Sequence, residues 1–516
     1  MAVQGITMPP PSGGLNLVSP IDNMSPEDAL DLVNVYPGPG APELRKGYER
    51  YVTTGATING PIRTITSLPN ASGGSQLIVA TDTKLYSISS SKVVTDISKV
   101  GNYTNGEWQT VIYDNRLYLC NSSNNAQVYS GNPATSAADV TFTGVSLANL
   151  VNVTAYRERL YYVEKNSTRM WYGGFRITGT GGTPALTSFD FSYVFKRGGF
   201  LVAIGSHSNT NNYSTQDYFW ALSSEGEILF YQGSYAGSAA DWTIVRQDYI
   251  GKPLGYKAVI KSNADTWILT VQGIVSLSAL MQSSVQVAQN AVSEKINPLI
   301  SQYAKVTPFS SMWNGFFWPE GRRIYVNVPI NANEQFFLVY SLDKGTWTKF
   351  ELYNDSHAIS SCLHNGLPFY GSLAGVVWQG DTGYLDAVEN GSGQYINFNV
   401  RGAFSFYGSR GNFKAFKDIR PIIKSSKAVQ ITVAFHTDFR NTGTESVTQF
   451  KANFSTFTPW GSPWGSPWSS PVGYIFDRYA AAGQGHCAAI AIKGSANNTP
   501  LEFLAFEVRF DLGGQV

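Results

Sequence analysis

Two stretches of this sequence repeat one another: WQTVIYDNRLYLCNSSNNAQVYSG at residues 108–131 and VNVTAYRERLYYVEKNSTRMWYGG at residues 151–174. Each has an alternating apolar segment, a short polar turn, a second apolar segment that contains Leu-Tyr, and a close of aromatic residues and glycine. Alternation with a period of two is typical of a strand with one buried face. The pair therefore predicts a repeated unit of antiparallel strands.

Looser copies of this unit recur at intervals of about 40–50 residues, the spacing of β-propeller blades. They lie at residues 75–90, 217–233, 265–278, 315–329, 334–350 and 360–381. A single small sheet cannot bury both of its faces, so such sheets stack around an axis and cover one another. We therefore predict an all-β chain with a β-propeller of about six or seven blades over residues 50–388. A β-sandwich, or a run of separate β domains, is the alternative.

The composition agrees with an all-β protein that takes part in an assembly. Among 516 residues, Lys and Arg number 37 and Asp and Glu number 36, so the formal net charge is +1. Charged residues make up 14% of the chain, against about 25% in typical soluble domains. Aromatic residues also reach 14%, and there are 50 glycines. This balance gives no support for a protein that coats a polyanion, and large uncharged surfaces favour association.

The cysteines and the start of the sequence bear on the compartment. Cys120, Cys362 and Cys487 are odd in number and far apart, which predicts no disulfide framework and a reducing environment. The opening MAVQGITMPPPSGG lacks the basic start and the apolar core of a secretion signal. No apolar run approaches the length of a membrane helix.

Residues 1–49 are predicted to form an N-terminal arm, with GGLNLVSPIDNMSPEDALDLVNVYPGPGAPELRKGY at residues 13–48. Ser25 can cap a helix and Pro26 suits its first position, so the arm is expected to contain one short helix. We expect the arm to cross a neighbouring subunit or an adjoining ring, and residues 45–48 to begin the strand that closes the ring of blades. The arm's candidate subunit or partner contacts are Leu15, Asn16, Leu30, Leu32 and Tyr36.

Two further segments depart from the blade pattern. Residues 283–305 have few turn residues before Pro298 and predict a helix inserted at a blade boundary. Residues 389–516 lack the blade unit and predict a separate C-terminal β domain resembling a sandwich, with a junction to the N-terminal arm left open. Within it, Trp460, Trp464 and Trp468 fall in a Trp-x-Ser-Pro repeat, where proline excludes a regular central strand. These tryptophans are expected to pack on their own domain or to contact a neighbouring subunit or partner.

The sequence contains no recognisable catalytic, cofactor-binding or metal-binding constellation. The close Cys/His pairs, Cys362 with His364 and His486 with Cys487, have no second half with the spacing of a zinc site. No glycine loop of the phosphate-binding kind occurs. We therefore expect no enzyme activity, no cofactor and no metal.

Basic residues are scattered, and one group after residue 400 is the best candidate for a basic patch. A solvated face or pairing between subunits is the alternative for this group. Its members are Arg401, Arg410, Lys414, Lys417 and Arg420.

Several segments resemble, in order from about residue 13 to residue 385, the tail hub or nozzle proteins of short-tailed bacteriophages (podoviruses), a family also known as packaged-DNA stabilisation proteins. The resemblance is a pattern of glycines, aromatic residues and turns. The segments that carry it are GGLN through RKGY at 13–48, RGGF at 197–200, SSEGEILFYQGS at 223–234, YIGKPLG at 249–255, DTWILTVQGIVSLS at 265–278 and RRIYVNVPINANEQFFLVYSLDKGTWTKF at 322–350.

The resemblance implies a structural virion protein of the phage tail, assembled in the cytoplasm of the bacterial host. Members of the family form a homo-oligomeric ring, usually a hexamer, beneath the adaptor ring of the head-to-tail connector. The ring extends the channel through which double-stranded DNA passes during genome ejection, helps retain the packaged genome and anchors a tail fibre, spike or needle protein. Two other functions remain open: a tail-associated propeller that depolymerises glycans with paired carboxylates, and a receptor-binding module.

Overall fold

The structure of the protein is a computed structural model. The residues that it describes are 3–52, 58–71, 74–99, 101–211, 214–238, 240–262, 265–353, 358–427, 429–440, 450–451, 473–475 and 477–515.

The N-terminal arm is built from strands, and the short helix predicted from Ser25 and Pro26 was wrong. A strand, Asp28–Val33, occupies the predicted helical segment, and one 3-10 turn, Ile21–Asn23, precedes it. Long-range pairing prevails over the local capping signal here, because this strand pairs in parallel with residues 14–15 and antiparallel with residues 399–402. The strands of the arm are β1 (Val3–Met8), β2 (Gly14–Leu15), β3 (Asp28–Val33), β4 (Val35–Pro37), β5 (Pro42–Leu44) and β6 (Tyr48–Arg50).

Five antiparallel meanders follow as separate sheets, four with four strands and the fifth with three. The first two contain β7 (Ile62–Ala71), β8 (Gly74–Thr81), β9 (Leu85–Ile88), β10 (Val94–Asp96), β11 (Gln109–Tyr113), β12 (Arg116–Cys120), β13 (Gln127–Tyr129) and β14 (Ala138–Asp139). The next two contain β15 (Leu150–Tyr156), β16 (Arg159–Glu164), β17 (Arg169–Tyr172), β18 (Thr187–Asp190), β19 (Leu201–Asn211), β20 (Ser214–Ser223), β21 (Glu227–Gln232) and β22 (Thr243–Tyr249). The fifth contains β23 (Val259–Lys261), β24 (Thr266–Thr270) and β25 (Gly273–Ser276).

The repeated sequence unit corresponds to a hairpin within each meander. Asp114 and Asn115 form the polar turn between β11 and β12, with φ of 51° and 53°. Positive φ at both central residues is the requirement of the tight hairpin turn that matches the twist of the strands. The Leu-Tyr pair that follows, Leu117 and Tyr118, is fully buried on the two faces of the sheet. The turn and the two-sided burial explain why this motif marks each unit.

Helices follow β25, as predicted for residues 283–305, although they begin earlier and are interrupted. Ser276 and Ser284 each accept a backbone N–H bond at the start of a helix, which satisfies an otherwise unpaired donor. The buried side chains of Leu280, Ile296 and Ile300 attach the helices to the propeller. The helices are α1 (Leu277–Gln282), α2 (Val285–Ser293) and α3 (Asn297–Val306), with a 3-10 turn (Glu294–Ile296) between the last two.

Two more four-stranded meanders lie within a larger, 15-stranded sheet. One contains β26 (Gly315–Trp318), β27 (Arg323–Pro329), β28 (Gln335–Ser341) and β29 (Thr346–Phe350), and the other contains β30 (Ala358–His364), β31 (Leu367–Ser372) and β32 (Val377–Gly380). The fourth strand of the latter is β6 from the arm, which pairs antiparallel with β32. Residues 45–48 were expected to begin such a strand, and of these Tyr48 is its first residue.

The meanders bury their faces against one another in sequence order. Leu68 and Ile78 of the first sheet share a core with Leu117 of the second, and each following pair of neighbours has a core of the same kind. The ring is closed by a last core, in which Phe369 of β31 packs with Leu77 of β8. The chain is therefore an all-β protein with a β-propeller.

The remaining strands form a C-terminal β region, and strands of the arm pair with it. They are β33 (Leu385–Glu389), β34 (Ser392–Gly402), β35 (Asn412–Ser425), β36 (Gln430–Thr437), β37 (Phe450–Lys451), β38 (Gly473–Ile475), β39 (Tyr479–Gly485), β40 (Ala488–Ala496) and β41 (Leu501–Gln515). Strand β1 pairs along β41, and β3 pairs with β34. Met8, Leu32 and Val35 of the arm lie in one core with Phe398 and Phe503 of the C-terminal strands. The arm and the C-terminal strands therefore share one core.

A buried ion pair joins the three parts of the molecule. The Arg45 guanidinium donates to both carboxylate oxygens of Asp386, at 2.7 and 2.5 Å, and its Nε donates to the Asn34 side chain at 2.8 Å. A further N–H donates to the carbonyl of Glu351, just after β29. Arg45 and Asp386 are each about 3% exposed. One side chain therefore links the arm, the propeller and the C-terminal region.

We expect Arg45→Met to lower the free energy of unfolding by about 3–5 kcal/mol, because it leaves the Asp386 carboxylate buried without its partner. Denaturant unfolding followed by tryptophan fluorescence measures the loss. Lys46→Met is the matched control: Lys46 is half-exposed in its 3.2 Å pair with Asp381, so the variant should lose less than about 1 kcal/mol. Equal losses for the two variants would contradict a special role for the buried pair.

Candidate functional site

The propeller encloses an axial cavity of about 420 Å³. It is lined by residues of the first strand of every meander, β7, β11, β15, β19, β23, β26 and β30, or by residues directly preceding them. A volume of this size is typical of a site for a small molecule. The cavity is therefore the central feature of the ring.

Lys257 crosses this cavity from one side of the ring to another. It lies two residues before β23, in the fifth meander, and its Nζ donates to the Thr64 hydroxyl of β7, in the first meander, at 2.8 Å. Nζ also lies 3.4 Å from the Arg63 carbonyl oxygen. Burial lowers the pKa of Lys257 to about 8, with attraction by Glu107 opposing the shift and repulsion by Arg63 adding to it.

Lys261 presents a second ammonium group to the same cavity. Side chains two residues apart on a strand share a face, so Lys257, Val259 and Lys261 all line the axis. Although Lys261 is exposed to solvent, desolvation by the strands around it lowers its pKa. The two lysines are the charged residues in the described lining, whose other polar members are neutral.

Neutral polar groups without partners also line the axis. The Thr154 hydroxyl and the Gln109 amide nitrogen make no hydrogen bond with the described residues, and Thr154 is 3% exposed. A buried hydroxyl without a partner loses the hydrogen bonds that water gave it, at a cost of about 1–3 kcal/mol. The lining thus holds unsatisfied polar groups next to two lysines.

A second cavity, which we call the junction cleft, opens where the arm, β29 and the C-terminal strands meet. Its volume is about 630 Å³, and Asp31, Glu351 and Asp386 contribute carboxylates to its lining. Burial raises the pKa of the Asp31 carboxyl, although Arg401 and Lys349 attract its charged form. Asp31 also accepts a hydrogen bond from the Asn399 amide at 2.5 Å. A carboxyl group with a raised pKa beside a second carboxylate is the combination used in general acid–base chemistry.

The candidate contact residues of the arm lie mostly in the interior of their own chain. Leu15, Asn16, Leu32 and Tyr36 are at most 3% exposed, and Leu30 packs against a small cluster around Phe404. Asn16 donates to the Asp28 carboxylate at 2.7 Å, and the hydroxyl of Tyr36 bonds that of Ser341. The buried four are structural residues of the protomer, so the prediction that they contact another subunit was wrong.

The predicted basic patch is largely neutralised within the chain. Lys417 pairs with Asp511 at 2.6 Å, and Arg420 pairs with Glu507 at 3.1 Å. Lys414 is fully buried, and its Nζ donates to the carbonyls of Asn412 and His486. Lys414 therefore does not belong to a surface patch. Strands β35 and β41 pair, which brings acidic residues opposite Lys417 and Arg420. This pairing could not be seen in the sequence.

Arg410 and Arg401, the other two residues of the predicted basic patch, lie apart from these ion pairs. Arg410 stacks on Phe406, 4.6 Å from the ring centre, and donates to the Asp22 carbonyl of the arm. Arg401 belongs to β34, where it is paired with Asp31 of β3 in the ladder and contributes to the electrostatic environment of that carboxyl.

The remaining residues singled out in the sequence either have a structural role or lie outside the residues that the structure describes. Trp460, Trp464 and Trp468 fall outside the described residues. His364 bonds the Ser67 hydroxyl at 2.8 Å, and burial lowers its pKa to about 4, so this histidine is neutral near pH 7. Over the described ranges, no group of three or more His, Cys, Asp or Glu residues could hold a metal ion.

Sequence reasoning missed both lysines of the axial cavity. The segment Lys257-Ala258-Val259-Ile260-Lys261 has the alternation of a strand, and its spacing puts both lysines on one face. That pattern was a usable signal. What it does not reveal is that this face points to the axis of the ring, because the facing strands come from residues up to 200 positions away.

No protein-family model and no curated protein matches this sequence. Among solved structures, virginiamycin B lyase from Staphylococcus aureus has a TM-score of 0.40 at 11% identity, over 65% of this chain and 97% of that chain. The WD40 β-propeller domain of Doa1 has a TM-score of 0.39 at 11% identity, over 64% and 96% of the two chains. BamB from Moraxella catarrhalis has a TM-score of 0.33 at 11% identity, over 68% and 94%. These similarities say nothing about function.

Within the described residues, no helix is both long and apolar enough to span a membrane.

We expect Asp31→Asn to gain stability relative to the wild type as the pH rises from 4 to 7. The folded state raises the pKa of Asp31 from an ordinary 3.8, so it binds this proton more tightly than the unfolded state does. The wild type therefore loses stability as the pH rises through the raised pKa. Denaturant midpoints of both proteins across this range measure the difference.

Asp190→Asn is the control of opposite sign. Burial raises the pKa of Asp190, but hydrogen bonds from Thr168 and Ser192 outweigh it and lower the pKa overall. Relative to the wild type, this variant should lose stability as the pH rises from strongly acidic values to the ordinary pKa of 3.8, and should change little between pH 4 and pH 7. An Asp31→Asn profile parallel to the wild type would contradict the raised pKa.

Proposed function

We propose that the protein is a structural component of a short bacteriophage tail, a ring-forming nozzle or hub protein. The observation that carries the proposal is the ordered resemblance to that family from residue 13 to residue 385. In the structure this stretch comprises most of the arm, the ring of meanders and the strand β6 that completes the last of them. The resemblance therefore covers the whole ring and is not confined to one turn or strand.

The finer architecture belongs to the same proposal. Counting the two meanders inside the 15-stranded sheet together with the five separate sheets gives seven blades. The seven first strands around one cavity support this count. The C-terminal β region is proposed to be a sandwich, supported by the core that its two sheets share, with Ile431 and Ile490 on one side and Phe503 and Val508 on the other.

The axial cavity is far too small for a DNA duplex, since about 420 Å³ is the size of a small-molecule site. DNA would therefore pass through a channel enclosed by several protomers around a rotation axis. We propose a homohexamer below the adaptor ring, in the tail of the virion, that anchors a fibre, spike or needle. Exposed apolar side chains support an assembly: Tyr193 is 95% exposed and Phe175 is 56% exposed.

Native mass spectrometry tests the proposal. The purified protein should form a closed ring of about six times the 56.3 kDa protomer. Cryo-electron microscopy of the virus that encodes it should place this ring around the tail axis. A stable monomer that lies far from the channel axis in the virion would contradict the proposal.

A second candidate function, glycan cleavage, is favoured by one observation. The junction cleft holds Asp31, with its raised pKa, and Glu351, and the interaction with Glu351 contributes to that rise. An acid and a base flanking a sugar bond are the requirement of glycoside hydrolysis.

If the chain is a depolymerase, the purified protein should release new reducing ends from the capsular polysaccharide of a bacterium that the virus infects. Asp31→Asn and Glu351→Gln should each lower that rate at least 100-fold, on the scale of general acid–base catalysis, about 10²–10⁴. Asp381→Asn, outside the cleft lining, is the control. Absence of reducing ends with the wild type, or activity that survives both substitutions, excludes this function for the cleft.

A further inference from the structure

We propose that the axial cavity of the propeller binds a small oxyanion, a molecule that carries a carboxylate or phosphate group, between Lys257 and Lys261. The inference does not depend on the tail function, because the cavity lies within one protomer.

The lining has the charge that an anion requires. Both lysines reach the cavity, and no carboxylate is among the described residues that line it. Loss of hydration disfavours the charged form of each lysine. A bound anion supplies the opposite charge and accepts the hydrogen bonds that water otherwise accepts.

The geometry leaves Lys261 available to a ligand. Lys257 already donates to Thr64, so it has a fixed position across the ring. The Lys261 ammonium makes no hydrogen bond or ion pair with the described residues. In extended chain the two Cα atoms lie roughly 13 Å apart, and the flexible Lys261 stem can bring its ammonium toward an anion held near the Lys257 ammonium.

Neutral groups of the lining complete the site. The Gln109 amide nitrogen is a donor, and the buried Thr154 hydroxyl can donate to an oxygen. Both lack partners among the described residues. They belong to β11 and β15, the second and third meanders, so donors approach the cavity from several directions. Convergent donors around a cavity of about 420 Å³ favour a ligand of a few heavy atoms with one or two acid groups.

Isothermal titration calorimetry of the full-length protein with succinate, and separately with inorganic phosphate, tests the proposal. The wild type should bind at least one of the two anions saturably at pH 7. Whichever anion binds shows whether the site prefers a carboxylate or a phosphate. Lys261→Met, which keeps the apolar stem and removes the charge, should weaken binding at least about tenfold, as expected for the loss of a charge-assisted hydrogen bond. Lys344→Met, an exposed turn residue, should bind as the wild type does.

The pH dependence gives an independent readout. Succinate stays fully ionised above pH 7, whereas Lys257, with its pKa of about 8, loses its proton on the way to pH 9. Glu107 and Arg63 are the charged groups that act on Lys257. Succinate affinity should therefore fall between pH 7 and pH 9. Lys257→Met should weaken binding and flatten this profile.

The outcomes separate clearly. Saturable binding that Lys261→Met weakens and that falls toward pH 9 supports the site. Failure of both anions to bind, or binding that Lys261→Met leaves intact, overturns it. If Lys257→Met does not fold, Lys261→Met carries the test, because its side chain has no internal hydrogen bond to lose. A monomeric protein that binds succinate would overturn the nozzle proposal and leave this inference in place.

Discussion

The architecture depends on the Arg45–Asp386 ion pair and the strands on either side of it. Asn34 follows β3 and Arg45 precedes β6, so the segment between them reaches both larger parts of the molecule. Within the 15-stranded sheet, β3 lies between β29 and β34, and β6 lies between β33 and β32. Two arm strands thus form the joints between propeller and C-terminal region. A charge buried at such a place requires its partner, which makes the joint specific in geometry.

The fold could be predicted from the sequence where its signals are local and repeated. The hairpin turn at Asp114 and Asn115 and the buried pair at Leu117 and Tyr118 recur through the chain, so the propeller and its closing strand followed from the pattern. The arm could not be predicted in the same way. Its capping signal at Ser25 is worth about 1 kcal/mol, less than the pairing and burial that make Asp28–Val33 a strand.

The candidate sites were harder to predict, because each depends on contacts between distant residues. Lys417 and Arg420 look basic in the sequence, but Asp511 and Glu507 lie opposite them across β35 and β41. Lys257 and Lys261 look like ordinary strand residues, but the closed ring places them on its axis. Pairing partners and the direction of a face are properties of the assembled fold. The sequence pattern alone does not contain them.

The pairing of β1 with β41 also orders events during synthesis. Val3 lies opposite Asp511 and Met8 opposite Phe506. Strand β1 therefore has no partner until β41 has been made. Ribosomes deliver about 5–20 residues per second, and N-terminal segments usually fold first. Here β1 remains unpaired until β41 has been synthesised. The core that joins Met8 to Phe506 and Val508 therefore forms only after β41 is made, whatever has folded in between.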